Sequence, residues 1–512
     1  MDEVAAVLDF GSQYAQLIAR RIRELGVYCE IVTHDISCDE LSRLSPLAIV
    51  FSGGPSSVFE PGHPEINPDI LALGIPIFGI CYGMQLLARV LGGKVEKGKS
   101  GEYGPATIEI DETMGVFDGM GETLNVWMSH GDHVVAPPQG FRMLAHTSTC
   151  PIAAMGEPTK KIYGVQFHPE VAHTPKGMDI LKNFLFKIAG CRGDWTMSRF
   201  IEESVDKIRT RVGASNVICG LSGGVDSAVT AALIHRAIGD QMRAIFVDNG
   251  LLRSHEVDEI RSIFTSDYPL NIRIVDAIDE FLDALRGAVD PEKKRKIIGS
   301  TFIDVFHREA AIINGARFLA QGTLYPDVIE SRSARGAPSA TIKSHHNVGG
   351  LPDDLGFELL EPLKELFKDE VRLLGKELGL PDRLLTRQPF PGPGLAVRIL
   401  GEVTRENLRI LRRADLIVRE EMSQYKRFKE IWQSFAVLLP VKSVGVMGDE
   451  RTYANVIALR VVTSLDGMTA DWVNLPYEVL GRMSSRIINE VDGVNRVVYD
   501  ITSKPPGTIE WE

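Results

Sequence analysis

Residues 75–91 read Ile75-Pro-Ile-Phe-Gly-Ile-Cys81-Tyr-Gly-Met-Gln-Leu-Leu-Ala-Arg-Val-Leu91. The first six residues form a short apolar run typical of a buried strand, and Met84–Leu91 is typical of a helix. Cys81 lies at the turn between them, and flanking Gly79 and Gly83 relieve crowding in a strained turn. The positive end of the helix dipole favours an anionic sulfur there. The stretch therefore predicts a nucleophile elbow in an α/β domain.

A histidine and a glutamate downstream are candidate partners for this thiol. In Phe-His168-Pro-Glu170 the two side chains are two residues apart, so in an extended chain they project to the same side. We predict that His168 is the base for Cys81 and that Glu170 orients His168. His130, in Ser-His-Gly-Asp, competes as the base, but it has no glutamate two residues further on.

Backbone N–H groups for an oxyanion hole are expected near the same elbow. Ser-Gly-Gly54-Pro follows the strand-like Ala48–Phe51, and Tyr82 follows the cysteine. The amides of Gly54 and Tyr82 are the candidates. These segments resemble the class I glutamine amidotransferases over about residues 1–190. The resemblance implies that a Cys-His-Glu triad releases ammonia from glutamine.

A second motif, Ser222-Gly-Gly-Val-Asp-Ser227, connects the strand-like Asn216–Leu221 to the helix-like Ala228–Ile238. Two glycines let backbone N–H groups approach a phosphate, and the following helix N-terminus favours the anion. Two hydroxyls add donors. Asp248, at the end of the next predicted strand, lies where an α/β sheet presents ligand-binding groups. The predicted ATP-binding residues are Ser222, Gly223, Gly224, Val225, Asp226, Ser227 and Asp248.

Asp226 repels phosphate directly, so its predicted role is to bind Mg²⁺ as a metal ligand. The full motif after a strand resembles the loop of the ATP pyrophosphatases. That resemblance implies ATP as a co-substrate that is cleaved to AMP and pyrophosphate. Gly93-Lys-Val-Glu-Lys-Gly-Lys-Ser100 matches the Walker A pattern, but a helix-like segment precedes it and Gly101–Pro105 cannot start a good helix. We interpret it as a charged surface turn.

Composition limits the function classes. The first residues contain no basic region followed by an apolar one, and no apolar run reaches the roughly 18 residues of a membrane span. The six cysteines have no spacing typical of disulfides or zinc, so a reducing cytoplasm is expected. Net charge is −12, which argues against nucleic acid as a partner. No membrane association is expected.

The motifs and the breaks between them predict three domains in an α/β multidomain chain. Residues 1–192 form the glutamine amidotransferase domain, and residues 195–387 form an α/β ATP pyrophosphatase domain. The Pro/Gly-rich stretch 388–394 opens a smaller α+β domain, residues 388–512. In that domain we predict helices at Arg405–Tyr425 and Pro476–Glu490. The predicted strands are Phe435–Val446, Tyr453–Val462 and Val494–Ile501.

At this scale the whole chain resembles the glutamine-hydrolysing GMP synthetases. The resemblance is carried by the domain order and by Pro389–Gly394, Lys343–Pro352 and Lys504–Glu512. It implies a homodimer formed by the third domain, and contacts to xanthosine monophosphate (XMP) from Arg295, Lys504 and Glu510. Lys343 and Asp327 are further candidates for phosphate or metal contacts.

The activity implied by this resemblance has glutamine, ATP and XMP as small-molecule substrates. Ammonia released from glutamine would react with an adenylated XMP intermediate. The products would be GMP, AMP, pyrophosphate and glutamate, in guanine nucleotide biosynthesis. The alternative is a related amidotransferase that adenylates a different acceptor.

Overall fold

The computed structural model of the chain describes residues 3–12, 14–333, 357–447, 450–464, 467 and 469–512. The chain divides into two compact units, residues 1–199 and residues 200–512. Among the described residues we find no helix with the length and apolar character needed to cross a bilayer.

The first unit is built on a mixed sheet with a parallel part and an antiparallel part. Its strands in the described part of the chain are β1 Ala5–Asp9, β2 Cys29–Thr33, β3 Ala48–Phe51, β4 Ile77–Ile80, β5 Lys94–Ile110, β6 Thr123–Ala136, β7 Arg142–His146, β8 Ala154–Glu157 and β9 Ile162–Val165. They are ordered β2-β1-β3-β4-β9-β8-β7-β5-β6. The strands from β2 to β9 in this order pair in parallel, and those from β9 to β6 pair antiparallel.

Helices accompany the parallel part of this sheet. They are α1 Ala15–Glu24, α2 Cys38–Leu44, α3 Tyr82–Val90 and α4 Gly177–Lys182. Every residue of β3, β4 and β9 is buried. Burial of whole strands is expected where helices cover both faces of a parallel sheet. This burial explains why these strands are short, continuous apolar runs in the sequence.

The second unit contains two sheets. The strands of the first are β10 Asn216–Leu221, β11 Met242–Asp248, β12 Ile272–Asp276, β13 Ala316–Ala320 and β14 Glu358–Leu360. They are parallel and ordered β12-β11-β10-β13-β14. The chain runs from β10 to one side of the sheet and then returns to β13 on the other side. The strand order therefore reverses beside β10, which is where open α/β sheets bind ligands.

The second sheet of this unit is largely antiparallel. Its strands in the described residues are β15 Gln433–Met447, β16 Glu450–Thr463, β17 Asp471–Trp472 and β18 Val494–Tyr499. β16 pairs antiparallel with β15 and β17 and parallel with β18. One hydrophobic core includes Ile218 and Ile245 of the first sheet and Leu438 and Leu459 of the second. The two sheets of this unit therefore share a core.

The helices of the second part of the chain begin with α5, which crosses the boundary between the units. They are α5 Met197–Val212, α6 Val225–Ile238, α7 Glu256–Ser262, α8 Ile278–Ala284, α9 Pro291–Ala311, α10 Tyr325–Ser333, α11 Lys368–Glu377, α12 Asp382–Leu385, α13 Arg405–Ser423 and α14 Tyr477–Glu490. Side-chain capping fixes the N-termini of two of these helices. Asp290 accepts a hydrogen bond from the Lys293 amide ahead of α9, and Thr404 accepts one from the Asn407 amide ahead of α13.

The prediction of a surface turn at Gly93–Ser100 is wrong. From Lys94 onward this stretch belongs to β5, where Lys94–Lys97 pair with residues 132–136 of β6. Backbone pairing with a neighbouring strand outweighs the turn-forming composition of the segment. A phosphate-binding Walker loop requires a helix to follow it. Here the strand continues to Ile110 instead.

Two candidate active sites

The elbow predicted around Cys81 is present. β4 ends at Ile80, α3 begins at Tyr82, and Cys81 between them has φ 52° and ψ −106°. A non-glycine residue in such a sparsely populated region costs about 1–3 kcal/mol, a strain that clusters at functional sites. A Cβ atom on Gly83 would lie 2.6 Å from the Phe51 Cβ. The glycine therefore lets α3 approach the sheet closely enough to hold the strained turn.

Sheet topology brings the predicted histidine to the same edge as the cysteine. β4 and β9 are parallel neighbours with Ile80 opposite Val165, and the Cys81 amide donates a hydrogen bond of 2.8 Å to the Val165 carbonyl. Residues that follow β9 therefore emerge beside Cys81. His168 and Glu170 are both buried there, with the His168 Nδ1 2.8 Å from the Glu170 Oε1.

Two hydrogen bonds hold the backbone of His168. Its backbone amide donates to the Trp127 carbonyl at 3.0 Å, and the Thr174 hydroxyl donates to the His168 carbonyl at 2.6 Å. Burial alone would lower the pKa of His168. The charge of Glu170 and hydrogen bonds to Cys81 and Glu170 outweigh it, so the pKa of His168 is raised. The raised pKa makes this imidazole a stronger base toward the Cys81 thiol.

The glycine loop after β3 lies against this pair. A Cβ atom on Gly53 would be 3.2 Å from the His168 Cε1 and 3.9 Å from the Cys81 Cβ. Gly54 is equally close-packed, since a Cβ there would lie 2.9 Å from the Phe10 carbonyl oxygen. Tyr82 is the first residue of α3, so its amide is among those without an intrahelical acceptor. Gly53 therefore lies beside both Cys81 and His168, and the start of α3 directly follows Cys81 in the chain.

Sequence reasoning missed one neighbour of the thiol and one partner of His130. The buried Gln166 lies with its Nε2 3.6 Å from the Cys81 Sγ. Its position two residues before His168 was a usable signal, because both side chains then share one side of an extended chain. His130 has no glutamate two residues further on, but its Nε2 lies 3.3 Å from an oxygen of Glu102. That carboxylate comes from a neighbouring strand, so spacing within the motif could not reveal it.

The second candidate site is the loop between β10 and α6, at the point where the strand order reverses. Gly223 has φ 79°, a conformation that favours glycine. The Ser222 and Ser227 hydroxyls lie 3.1 Å apart, and the Ser227 hydroxyl also accepts from the Ser222 amide at 3.2 Å. These contacts shape the loop as a concave turn in front of the helix N-terminus. Such a turn is suited to bind a phosphate group.

Asp226, in the first turn of α6 directly after this loop, has a cationic partner that sequence reasoning did not identify. The Lys368 ammonium lies 2.5 Å from both carboxylate oxygens of Asp226. Both side chains are partly exposed. Lys368 is the first residue of α11, where the helix dipole opposes a cation, and that unusual placement was the available signal. The pair places an ammonium group beside the predicted phosphate loop.

Two other predicted ATP-site or metal-contact residues, Asp248 and Asp327, each accept a hydrogen bond from a nearby backbone amide. Asp248 ends β11, next to β10, and accepts a hydrogen bond of 3.0 Å from the Gly250 amide. Asp327 lies in the first turn of α10 and accepts from the Leu324 amide at 2.9 Å, which is a capping contact. Lys343 lies outside the described residues, as does the rest of the Lys343–Pro352 motif.

Residues predicted to bind the acceptor nucleotide lie in α9 and at the C-terminus. Arg295 forms an ion pair with Glu292 on the same helix. The Lys504 ammonium donates to the Gly467 carbonyl at 2.8 Å. Glu510 accepts two hydrogen bonds from the Arg398 guanidinium, at 3.0 and 2.7 Å. The structure therefore gives each of the three a polar partner within the chain.

Three fully buried cations hold the last residues of the chain in place. Besides Arg398, the Arg460 guanidinium donates to the Thr508 carbonyl at 3.0 Å, and the Lys294 ammonium lies 2.6 Å from a Glu512 oxygen. Charge runs such as Lys293–Lys296 are usually solvated, but the Lys294 side chain is fully buried. A tail tied by buried charges differs from ordinary chain ends, which fray.

Comparisons with known proteins match three separate parts of the chain to three families. The family model "Glutamine amidotransferase class-I" matches residues 6–188, "NAD synthase" matches residues 196–297, and "GMP synthase C terminal domain" matches residues 420–511. Two relatives named GMP synthase (glutamine-hydrolyzing) come from Maridesulfovibrio salexigens, 57% identical, and Geobacillus kaustophilus, 58% identical. Each match covers 100% of this chain and 99% of the relative. The chain therefore belongs to the glutamine-hydrolysing GMP synthase family.

Proposed function

We propose that this chain makes GMP from XMP, with glutamine as the nitrogen donor and ATP as the activating co-substrate. The observation that carries the proposal is the presence in one chain of a strained cysteine elbow with a buried His-Glu pair and a pyrophosphate-type loop. The full-length likeness to GMP synthases supports the choice of acceptor.

In the first half-reaction the Cys81 sulfur attacks the amide carbon of glutamine. His168 accepts the thiol proton and donates it to the departing nitrogen, so that ammonia leaves and a thioester remains on Cys81. Glu170 orients His168 and balances its charge. The Gly54 and Tyr82 amides stabilise the oxyanion of the tetrahedral intermediate. Water then cleaves the thioester and releases glutamate.

In the second half-reaction the O2 oxygen of XMP attacks the α-phosphorus of ATP, and pyrophosphate leaves. Ammonia then displaces AMP from C2 of the purine, which gives GMP. Ser222–Ser227 and the start of α6 hold the pyrophosphate, with Lys368 beside it. Oxygen donors at Asp226 fit Mg²⁺, which supplies charge neutralisation for the phosphates when bound. Lys368 already shares that carboxylate, so a cation there would join an existing charge network.

The acceptor site is proposed on Lys504, Glu510 and Arg295, with Lys343 and Asp327 as further phosphate or metal contacts. A monophosphate favours Arg and Lys, and a carboxylate accepts from purine or ribose donors. We also propose the division into domains at 1–192, 195–387 and 388–512. Assembly as a homodimer through the last of these is proposed by family resemblance.

An acceptor screen tests the proposed function. The chain is incubated with ATP, Mg²⁺, glutamine and one candidate nucleotide or amino-acid acceptor at a time, and AMP release is measured. We expect AMP and pyrophosphate in equal amounts with XMP, together with GMP. AMP that appears only with another acceptor would favour the alternative, an amidotransferase that adenylates a different compound.

Replacement of Lys504 by alanine should raise the KM for XMP at least about tenfold and leave the KM for ATP nearly unchanged, because it removes binding to one ligand. Steady-state kinetics with each substrate varied in turn measure the two values. Lys429→Ala, which removes an exposed lysine, is the matched control. Equal changes in both KM values would place Lys504 outside the acceptor site.

A further inference from the structure

Three side chains that the proposed reaction does not use lie together in the first unit. One ligand atom from each of Glu102, His130 and Cys150 lies within 4.8 Å of the others. We propose that they form a binding site for a borderline-soft divalent transition metal, of which Zn²⁺ is the expected occupant. The proposal does not depend on the proposed function, since it shares no residue with the candidate triad.

Strand pairing positions two of the three residues. Glu102 on β5 is directly opposite His130 on β6 in the antiparallel ladder. Side chains opposite each other in such a ladder project from the same face at short distance. Cys150 lies in a turn after β7, in which the Cys150 amide donates to the Thr147 hydroxyl at 2.8 Å and the Thr147 amide donates to the Cys150 carbonyl at 2.9 Å. The backbone at all three positions is therefore held by hydrogen bonds.

The His130 Nε2 and the Glu102 Oε2 face each other at 3.3 Å, and the His130 side chain is 5% exposed. Both atoms are buried, and apart from this ion-pair contact neither makes a hydrogen bond. Buried polar atoms with unused hydrogen-bonding capacity are uncommon, and a bound cation would satisfy both of these.

The His130 Nδ1 and the Glu102 Oε1 make the hydrogen bonds that are typical of metal-binding side chains. The His130 Nδ1 donates to the Asp132 carbonyl at 3.0 Å, which leaves the lone pair on Nε2 available. The Glu102 Oε1 accepts from the Thr149 hydroxyl at 3.0 Å. A ligating histidine typically donates its other ring N–H to a carbonyl or carboxylate, and a ligating carboxylate is itself hydrogen-bonded.

The donor set selects the kind of metal. A thiolate, an imidazole and a carboxylate together suit Zn²⁺ and disfavour the hard ions Mg²⁺ and Ca²⁺. Three protein ligands leave a fourth tetrahedral position for water. The Cys150 Sγ now lies 3.4 Å from the Ile152 carbonyl, to which its thiol donates. Metal binding would release that thiol proton to solvent as the sulfur–metal bond forms. The spacing of the cysteines along the chain predicted no zinc site, because two ligands come from paired strands.

The proposed site adjoins the amidase nucleophile. The Ser129 carbonyl lies 3.6 Å from the Cys81 Sγ, and Ser129 directly precedes His130. A metal that fixes His130 therefore acts on backbone that contacts the Cys81 sulfur. This proximity also means that Cys81 must be removed as a competing metal-binding thiol in any test.

Cobalt(II) is the probe, because a thiolate–cobalt bond gives a charge-transfer absorption that an all-oxygen site does not. Full-length Cys81→Ser, Cys81→Ser/Cys150→Ser and the control Cys81→Ser/Cys191→Ser are titrated with Co²⁺ alone. We expect the absorption in Cys81→Ser and in the Cys191 control and its loss in Cys81→Ser/Cys150→Ser. Zn²⁺ added afterwards should bleach it. No absorption in Cys81→Ser, or absorption that persists in Cys81→Ser/Cys150→Ser, overturns the proposal.

Glu102→Gln provides a second variant in case Cys150→Ser does not fold. The amide keeps the shape of the carboxylate and an oxygen for the Thr149 hydroxyl, but it removes the charge that would bind the metal. We expect the affinity for Co²⁺ in the Cys81→Ser background to fall at least about tenfold. Loss of a residue that only hydrogen-bonds to a metal ligand already has an effect of about that size. An unchanged affinity would overturn the proposal.

Discussion

Replacement of Cys81 by alanine should abolish GMP synthesis from glutamine, by about 10⁴-fold or more, and leave synthesis from added ammonium salt intact. Loss of the attacking atom removes the covalent route, and nucleophile deletions in other hydrolases have effects of this size. The candidate ATP loop lies in the other compact unit, so its chemistry does not need the sulfur. GMP formation measured with each nitrogen source separates the two activities.

Cys38→Ala is the matched control for this experiment. Cys38 lies in the same unit at the start of α2 and is only partly buried, so its loss should change neither activity. A folded Cys81→Ala protein that loses synthesis from ammonium as well would contradict the assignment of separate sites.

Many elements could be predicted from the sequence because apolar runs and helical periodicity are local signals. The predicted strands Ala48–Phe51 and Asn216–Leu221 match the observed bounds. The helix predicted at Arg405–Tyr425 is observed at Arg405–Ser423. The stretch Gly93–Ser100 was predicted wrongly because its strand conformation depends on pairing with a distant segment of the chain.

The candidate sites were predictable to the extent that their residues are close in sequence. His168 and Glu170 are two residues apart, and their contact follows from that spacing. Lys368 is 142 residues away from Asp226, and no local pattern connects the two. Contacts of this second kind arise from packing between elements. One sequence could therefore indicate a loop that binds phosphate without naming its cationic neighbour.

Replacement of Asp226 by alanine should reduce pyrophosphate release from ATP by at least about 10²-fold with either nitrogen source, because the reacting groups lose their alignment. The substitution also leaves the Lys368 ammonium without the carboxylate that now lies 2.5 Å from it. The freed lysine can bind phosphate directly, so ATP binding should survive better than turnover. The predicted signature is a large fall in kcat with a smaller change in the KM for ATP, measured by pyrophosphate release.

Two control variants test whether the loss of pyrophosphate release is specific to Asp226. Asp240→Ala removes an exposed acid just beyond the same helix, and Lys99→Ala removes the lysine of the Walker-like stretch in β5. Both should keep nearly full ATP turnover, because neither residue lies in the loop after β10 or in the first turn of α6. A large loss in Lys99→Ala would revive the Walker interpretation. ADP and phosphate as products of the wild type would contradict pyrophosphate cleavage itself, since attack at the α-phosphorus gives AMP.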